Sequence, residues 1–341
     1  MTPRAKIKDI AAEGGVSPAT VSRALTGTGL VAEPTLSRIR EAARLMNYRP
    51  NVSARSLRTR RSMAVLMVVR DVGNPFYLEV LKGVESTARM AGYAVLMGNT
   101  ENNPEREIEY FDMLRDGHAD GMILMTGKLP QREGFPERAR SLPVVVALEE
   151  IEASGLPHVM IDNEDAACRA VEHLIGLGHR RIAHIAGPVP EIMALRRRGG
   201  YRRAMRAAGL PIPEGYEPVG DYLLHAGEEL CRGLFALPEP PTAIFVGNDE
   251  MAFGAIHELR RMGLDVPGDV SVVGFDDLFL SQAFHPPLTT VSQPRAEIGQ
   301  QAMEMLLRVL SGETGGAGRI EMPTALKLRG STAAPRSRSS G

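Results

Sequence analysis

The chain has 341 residues, of which 43% are hydrophobic and 24% are charged, so it can hold a small module and one or two larger domains with apolar cores. Its net charge of -1 hides an uneven distribution: residues 1–62 carry 12 Lys or Arg against 4 Asp or Glu, whereas the remainder carries 28 against 37. This asymmetry favours binding of a polyanion to the N-terminal part alone, since clustered cations displace counterions from phosphates. The alternative is a basic face that is merely solvated.

The composition argues against a membrane protein, a secreted protein and a disulfide framework. No apolar run approaches the ~20 residues that span a bilayer, and residues 1–6 lack the apolar core of a signal peptide. The two cysteines, Cys168 and Cys231, lie far apart in apolar helical contexts, and we expect them to be reduced core residues. The sequence therefore predicts a cytoplasmic protein with no membrane contact.

Two short helices joined by a glycine turn are predicted near the N-terminus. The first covers residues 7–13, and Gly14 and Gly15 end it. Ser17 is a good N-cap for the second helix, and Pro18 suits its first position, where a backbone N–H would have no partner. A sharp helix–turn–helix path is therefore expected here.

The second helix has one apolar face and one polar face. Val21 and Leu25 lie on the apolar face, whereas Thr20, Ser22 and Arg23 point outward. This pattern predicts a helix-turn-helix motif, whose second helix contacts DNA phosphates and base edges through such outward groups.

A third amphipathic helix is predicted from about Pro34 to Asn47, which would complete a small three-helix domain. The segment from Gly27 to Ala32 fits the loose glycine pattern of a dinucleotide-binding turn. That pattern indicates dinucleotide binding only where a strand leads directly into a helix, and here a helix precedes it. We therefore interpret the segment as a turn between helices.

The order of these motifs carries a family resemblance. The helix-turn-helix is followed by Asn47-Tyr48-Arg49-Pro50-Asn51 and then by Ala54-Arg55-Ser56-Leu57. In this order the chain resembles the LacI/GalR family of bacterial transcription regulators over almost its whole length. The resemblance implies a hinge that becomes helical on DNA and inserts Leu57 into the minor groove. A hinge of about six residues is too short to be helical alone, and a leucine wedge can kink a duplex.

The resemblance also implies which residues read the DNA. Pro18 and Ala19 fall on base-reading positions but offer only apolar contact, so Arg23 is the main candidate for a contact to guanine. Thr20, Ser22 and Thr35 are expected phosphate anchors. Arg23 touching only phosphate and Thr20 merely capping or packing remain alternatives. The predicted DNA-binding residues are Ser17, Pro18, Ala19, Thr20, Ser22, Arg23, Thr35, Asn51, Ala54 and Leu57.

Beyond residue 63, short aliphatic runs alternate with amphipathic stretches. The predicted strands are 64–69, 94–97, 121–125, 144–148, 182–186, 243–246 and 270–275. The predicted helices are 75–91, 105–115, 165–177, 197–208, 226–236 and 250–262. This alternation predicts α/β structure with parallel sheets and crossover helices.

The resemblance implies a periplasmic-binding-protein-like core of two parallel-sheet subdomains, with chain crossings near Asp162, Val291 and Glu321. The resulting organisation is a helix-turn-helix domain at 1–50, a hinge at 51–62, a core at 63–332 and a tail at 333–341. Within the core, subdomain one covers 63–162 and 291–321, and subdomain two covers 163–290 and 322–332. The Ser/Arg/Pro/Gly-rich tail is expected to be disordered and lacks leucine heptads, so we expect a homodimer.

Ligands of open α/β sheets bind beyond the carboxyl ends of the strands, so two facing sheets should form a cleft. By strand ends and resemblance together, the predicted effector-binding residues are Asn74, Phe76, Tyr77, Glu149, Arg197, Tyr222, Asn248 and Asp276. Several of these have structural alternatives: Phe76 could belong to the core, Asn248 or Asp249 could cap a helix, and Asp277 could be structural.

Carboxylates and guanidinium groups pair with vicinal hydroxyls, and aromatic rings cover a sugar face or stack on a base. The predicted effector is therefore a sugar or a nucleoside. Segments 54–58, 127–130 and 156–163 resemble the cytidine-responsive branch of the family, although they fall largely outside the predicted pocket.

Two other functional classes fit the sequence poorly. An enzyme would need a catalytic motif, and the chain has no Walker loop, Gly-x-Ser-x-Gly elbow or His-Glu-x-x-His; we expect no cofactor and no metal. His179 and His184 are interpreted as structural. A periplasmic-type binding protein shares the core fold but would need a signal peptide and no DNA-binding domain.

The sequence therefore predicts a DNA-binding transcriptional regulator, most often a repressor in this family. It would bind a pseudo-palindromic double-stranded operator as a homodimer, and a small effector in the cleft would control its affinity.

Overall fold

The computed structural model describes residues 5–26, 29, 31–48, 61–130, 135–313 and 318–336. The chain divides after residue 62 into a small N-terminal unit, here called the head, and a large unit called the body. Each unit has its own hydrophobic core.

The head contains three helices: α1 (Ile7–Glu13), α2 (Pro18–Thr26) and α3 (Glu33–Leu45). Their apolar faces meet in a core centred on the fully buried Ile10, Val21 and Ile39. The predicted third helix is confirmed, although it begins at Glu33 and ends at Leu45. Because α1 and α2 are short, packing rather than helix propensity stabilises them.

The glycine turn and the serine cap fix the path between α1 and α2. Gly15 adopts a φ of 61°, a left-handed conformation that costs glycine little. The Thr20 backbone N–H then donates to the Ser17 hydroxyl at 3.2 Å, which caps the start of α2. The turn and the cap together orient α2 so that its outer face is exposed.

The body contains two sheets, each flanked by helices. The elements of the first subdomain are β1 (Ala64–Val69), α4 (Phe76–Met90), β2 (Ala94–Asn99), α5 (Pro104–Arg115), β3 (Gly121–Leu124), α6 (Phe135–Ser141), β4 (Val144–Ala147), β5 (His158–Ile161), α11 (Arg295–Ser311) and β10 (Arg319–Met322). Its strand order is β10-β5-β4-β3-β1-β2, and every pairing is parallel.

The second subdomain repeats this plan. Its elements are α7 (Asn163–Gly176), β6 (Ile182–Ile185), α8 (Ile192–Ala207), α9 (Leu224–Phe235), β7 (Ala243–Val246), α10 (Asp249–Arg261), β8 (Ser271–Asp276), a 3-10 turn (Phe279–Gln282), β9 (Thr289–Ser292) and β11 (Ala325–Lys327). Its strand order is β11-β9-β8-β7-β6, with only β11 antiparallel among the described strands. The predicted fold class is confirmed.

The chain crosses between subdomains at Asp162, at residues 293–294 and at residues 323–324. The last two crossings lie slightly after the expected Val291 and Glu321, because β9 continues to Ser292 and β10 to Met322. Three short connections leave the subdomains facing each other across a cleft at the carboxyl ends of their strands.

Close helix packing depends on glycines at the contact points. A methyl group on Gly83 of α4 would collide with the Ala296 carbonyl of α11, and one on Gly200 of α8 would collide with the Glu164 carbonyl of α7. These contacts hold the crossover helices against each other within each subdomain.

The predicted disorder from Ala333 onward is wrong for residues 333–336. The Ala333 backbone N–H donates to the Ser271 hydroxyl at 3.0 Å, and Arg336 pairs with Asp269 at 2.7 Å. These residues pack along subdomain two, whereas residues 337–341 lie outside the described chain. None of the described helices is long and apolar enough to cross a membrane.

Candidate functional site

The cleft between the two sheets has a volume of about 550 Å³. All eight predicted effector-binding residues line it, namely Asn74, Phe76, Tyr77, Glu149, Arg197, Tyr222, Asn248 and Asp276. The strand-end argument therefore identified one continuous surface, while contact of these residues with an effector remains a prediction.

Arg197 is buried and held by groups of subdomain two. Its Nε donates to the Asn163 side chain at 2.9 Å, and one Nη donates to the Gly247 carbonyl at 2.6 Å. The guanidinium group lies 3.7 Å from the centre of the Phe275 ring. Arg197 lies in the second turn of α8, which begins five residues earlier than predicted, so it does not end a loop as expected.

Asp276 sits opposite Arg197 at the end of β8. One carboxylate oxygen lies 3.8 Å from an Arg197 Nη and accepts from the Gln293 amide at 2.8 Å. Burial raises the pKa of Asp276 to about 6, and Arg197 opposes that shift. The φ of Asp276 is 114°, which indicates that the surrounding structure forces this side chain into position.

Asn248 and Tyr222 form the next part of subdomain two's wall. The Asn248 Oδ1 caps α10 by accepting from the Met251 N–H at 3.0 Å, while its Nδ2 donates to the Tyr222 carbonyl at 2.9 Å. The structural alternative for Asn248 is thus observed, although the residue also lines the cleft. The Tyr222 ring occupies space that Gly187 leaves open, because a methyl group there would collide with it. The buried Tyr222 hydroxyl has no hydrogen-bond partner among the described residues.

Arg70 links the two walls of the cleft. It follows β1 and forms ion pairs with Glu149, after β4 of its own subdomain, and with Glu191, which precedes α8 in the other subdomain. Burial raises the pKa of Glu149, and Arg70 opposes that shift. A buried guanidinium group between two carboxylates keeps each charge compensated at low dielectric.

The start of α4 contributes two rings to the cleft, and the turn before it contributes an amide. The Asn74 side chain accepts from the Phe76 N–H at 2.9 Å and so caps the turn that precedes α4. Phe76 and Tyr77 stack edge to face with centroids 5.6 Å apart. Both rings are mostly buried in the core and present only part of their surface to the cleft, and burial raises the pKa of Tyr77 to about 12.

Several cleft residues were not predicted. The polar ones are Arg70, Asp71, Asn99, Glu101, Asn102, Asp221, Glu191 and Gln293. Arg70 and Asp71 directly follow β1, so the strand-end rule could have found them. Gln293 lies on the second crossing, and no local sequence signal indicates Glu191. Asp277, by contrast, pairs with Arg329 at 2.6 Å, outside the lining of the cleft.

On the head, the predicted DNA-binding residues Ser17, Pro18, Ala19 and Arg23 are exposed, while Thr20, Ser22 and Thr35 are half-buried. The Thr20 hydroxyl lies 2.9 Å from the Ser17 hydroxyl, so Thr20 does take part in the cap. Asn51, Ala54 and Leu57 lie outside the described residues.

The two histidines interpreted as structural have structural contacts. His179 lies within hydrogen-bond distance of Thr242, Ser271 and the Ala333 carbonyl. His184 stacks on Phe245, and burial lowers its pKa to about 4. Across the described part of the chain, no group of three or more His, Cys, Asp or Glu could hold a metal ion.

Two family descriptions match the chain. Residues 6–51 match "Bacterial regulatory proteins, lacI family", and residues 171–332 match "Periplasmic binding protein-like domain". The first match covers the helix-turn-helix and extends into the hinge segment, and the second covers most of subdomain two.

Curated relatives match over nearly the full length. The HTH-type transcriptional repressor CytR of Escherichia coli K12 is 40% identical over 97% of this chain and 97% of its own length. Catabolite control protein A of Priestia megaterium is 36% identical over 96% and 98%, and the ribose operon repressor of Escherichia coli K12 is 35% identical over 96% and 99%.

Among solved structures, the Lac repressor dimer bound to operator and the anti-inducer ONPF has a TM-score of 0.86 at 26% identity, with coverage of 97% and 100%. The CelR–cellobiose complex has a TM-score of 0.71 at 29% identity, with coverage of 96% and 100%. The chain is therefore a transcriptional regulator that belongs to the lacI family of bacterial regulatory proteins.

Proposed function

We propose that this regulator is a repressor that binds a pseudo-palindromic operator as a homodimer and changes its affinity when a sugar or nucleoside binds in the cleft. The observation that carries this proposal is that the cleft lies between two subdomains and draws polar groups from both. A ligand that touches both walls binds one degree of closure better than another, and so can shift the population of closed bodies.

The difference in effector affinity between the two degrees of closure sets how strongly the effector changes operator binding. If the effector binds one state about 100-fold better than the other, the coupling is about 2.7 kcal/mol, which is enough to fill or empty an operator. The change in closure would alter operator binding through the head and the hinge, where Asn51, Ala54 and Leu57 are the proposed minor-groove contacts.

On the head, the exposed Arg23 is the candidate for reading guanine, because Pro18 and Ala19 present no side-chain donor or acceptor. Ser17, Thr20, Ser22 and Thr35 are proposed to lie near phosphates. We place this activity in the cytoplasm, where bacterial operators lie, and we propose that the chain acts by binding without catalysis, as its regulator relatives do.

In the cleft, Arg197, Glu149 and Asp276 offer groups that recognise hydroxyls, while Phe76 and Tyr222 offer aromatic surface. This combination suits a sugar ring or a nucleoside. Two similar proteins are linked to ligands of this kind. One is named as the ribose operon repressor, and CelR was solved as a complex with cellobiose.

An exposed apolar surface supports the homodimer. Leu224, Phe279 and Leu280 are 42%, 76% and 56% exposed and lie outside the lining of the cleft. They lie near α10. The Leu224 backbone contacts Gly254 of α10, and Ser281 of the 3-10 turn that contains Phe279 and Leu280 donates a hydrogen bond to Asp249 of α10. Exposed apolar groups of this size favour association with a second copy.

The test combines two measurements on the full-length protein. Thermal-shift screening against free sugars and nucleosides, with cytidine and ribose first, should identify compounds that raise Tm. Fluorescence anisotropy with DNA selected from random duplexes should then show specific binding that such a compound changes at least about tenfold. Specific binding that no stabilising compound alters would contradict effector control, and absence of specific binding would contradict the DNA-binding proposal.

A further inference from the structure

Acidic groups outnumber basic groups on the walls of the cleft. The described lining residues include six carboxylates, those of Asp71, Glu101, Glu149, Glu191, Asp221 and Asp276, and two guanidinium groups, those of Arg70 and Arg197. A ligand that carries a phosphate or carboxylate would therefore enter a region of unfavourable potential.

Both guanidinium groups already have carboxylate or carbonyl partners, and only the buried Nε of Arg70 has no hydrogen-bond partner among the described residues. Arg70 is ion-paired with Glu149 and Glu191, and the three side chains are 10%, 2% and 21% exposed. Arg197 donates to Asn163 and to the Gly247 carbonyl and faces Asp276 at 3.8 Å. An anionic ligand could form a two-point contact with one of these arginines only by displacing a present partner, and a displaced carboxylate would be left buried without its cation, which is strongly unfavourable.

A neutral ligand meets no such obstacle. Its hydroxyl and amino hydrogens can be donated to the free lone pairs of Glu149, Glu191 and Asp276 while the ion pairs stay intact. The buried Tyr222 hydroxyl, which has no partner in the described chain, can donate to a ligand oxygen or ring nitrogen. The charged groups of the cleft are thus mainly acceptors, and they fit a ligand with hydroxyl or amino donors.

We propose that the cleft selects uncharged, hydroxyl- or amino-bearing effectors and rejects their phosphorylated forms, and that Glu191 is the residue that determines this selectivity. The inference rests on the proposed function, because it assigns the effector to this cleft. Glu191 is singled out because it reaches Arg70 from the opposite subdomain and is the more exposed of the two carboxylates paired with Arg70.

The test is isothermal titration calorimetry on the full-length protein at pH about 7.5 with three matched pairs of probes. The pairs are cytidine and cytidine 5′-monophosphate, adenosine and adenosine 5′-monophosphate, and ribose and ribose 5-phosphate. For at least one pair, the wild type should bind the neutral member at least about 100-fold more tightly. In Glu191→Gln, which frees one edge of Arg70 for an anion, this preference should narrow at least about tenfold.

Two further variants control the result. Glu152→Gln removes an equal charge from an exposed residue that pairs with Arg196 outside the lining of the cleft, and it should leave the preference unchanged. Glu191→Asp keeps the charge and should retain the preference for the neutral ligand. A preference that narrows in Glu191→Gln but not in Glu191→Asp is then due to the lost charge and not to a general effect of substitution at this position.

The inference is overturned if the wild type binds both members of the pairs equally, if neither member of any pair binds, or if Glu191→Gln and Glu152→Gln narrow the preference equally. Operator binding is measured separately by anisotropy. Its absence in the wild type would overturn the proposed function, whereas the calorimetric preference would still decide whether the cleft selects neutral ligands.

Discussion

The head and the body hold their candidate functional side chains in opposite ways. On the head, these side chains are exposed or half-buried, and the hydrogen bonds found for them are short-range, as between Ser17 and Thr20. In the body most of them are buried, and several have partners from distant parts of the chain, as Arg197 has in Gly247. Function can therefore be separated from stability on the head, whereas in the cleft one substitution changes both.

The largest effect is expected for Arg197→Ala in the body. The substitution leaves Asp276 and Asn163 without their cationic partner in a buried site, so Tm should fall by roughly 5 to 10 °C. Effector affinity should fall roughly 100-fold or more in calorimetry, while operator binding persists.

Arg196→Ala is the matched control, because Arg196 is the adjacent residue of α8 but pairs with Glu150 and Glu152 outside the lining of the cleft. It should change effector affinity less than about threefold. Equal losses in both variants would contradict the role given to Arg197.

On the head, Arg23→Ala should reduce operator binding without reducing stability. Since Arg23 is exposed, Tm should not change measurably, yet operator affinity should fall roughly 10- to 100-fold through loss of a base contact. Binding to unrelated duplex DNA should fall only slightly, by the loss of one charge.

Arg44→Ala removes the same charge from α3, where Arg44 pairs with Glu41 on the surface. It should affect operator and unrelated DNA alike. An unchanged ratio of the two affinities in Arg23→Ala, measured by anisotropy at several salt concentrations, would show that Arg23 touches only phosphate.

A buried acid of subdomain two makes the stability of the body depend on pH. Asp249 accepts from the Leu278 N–H and from the hydroxyls of Ser281 and Thr290, yet burial and then the nearby Asp276 raise its pKa to about 7. A raised acid pKa stabilises the fold at low pH, and this contribution is lost as the pH rises through about 7.

Wild-type Tm should therefore fall between pH about 5 and pH about 8, and Asp249→Asn should reduce that fall by a few degrees. Differential scanning calorimetry of both proteins across this range measures the difference. Parallel pH profiles would show that Asp249 is not the titrating group.

The smallest effect is expected for Ser17→Ala on the head. Loss of the cap should cost about 1 kcal/mol locally, so the amides in the first turns of α2 should exchange roughly five times faster. Ser37→Ala removes only a weak 3.4 Å contact to Glu33 on α3 and should leave exchange unchanged. Equal effects of the two substitutions would contradict the capping role.

Much of the fold was accessible from the sequence because its central strands are short apolar runs between amphipathic helices. The strand at Ala243–Val246 was predicted with its observed bounds. The strands at Arg319–Met322 and Ala325–Lys327 were missed because they alternate exposed and half-buried residues at sheet edges. The strand at His158–Ile161 was missed because it begins with a histidine, which leaves only three apolar residues in a row.

The site was accessible to the extent that it follows strand ends. That rule found Glu149, Asn248 and Asp276, but it could not find Glu191, whose importance comes from Arg70, far away in the sequence. Pairings across the cleft depend on how the two subdomains face each other, and no local pattern records that arrangement.

The three crossings also have a consequence for synthesis of the protein. Each sheet receives its last strand from the C-terminal end, β10 in subdomain one and β11 in subdomain two, and the fully buried Ser331 donates to the Val272 carbonyl beyond them. Neither half of the body can be completed until the ribosome has translated residues 319–331, whereas the core of the head can form much earlier. A nascent chain that stops before Arg319 would thus have a folded head but an incomplete body, so only molecules that contain residues 319–331 could both bind an operator and respond to an effector.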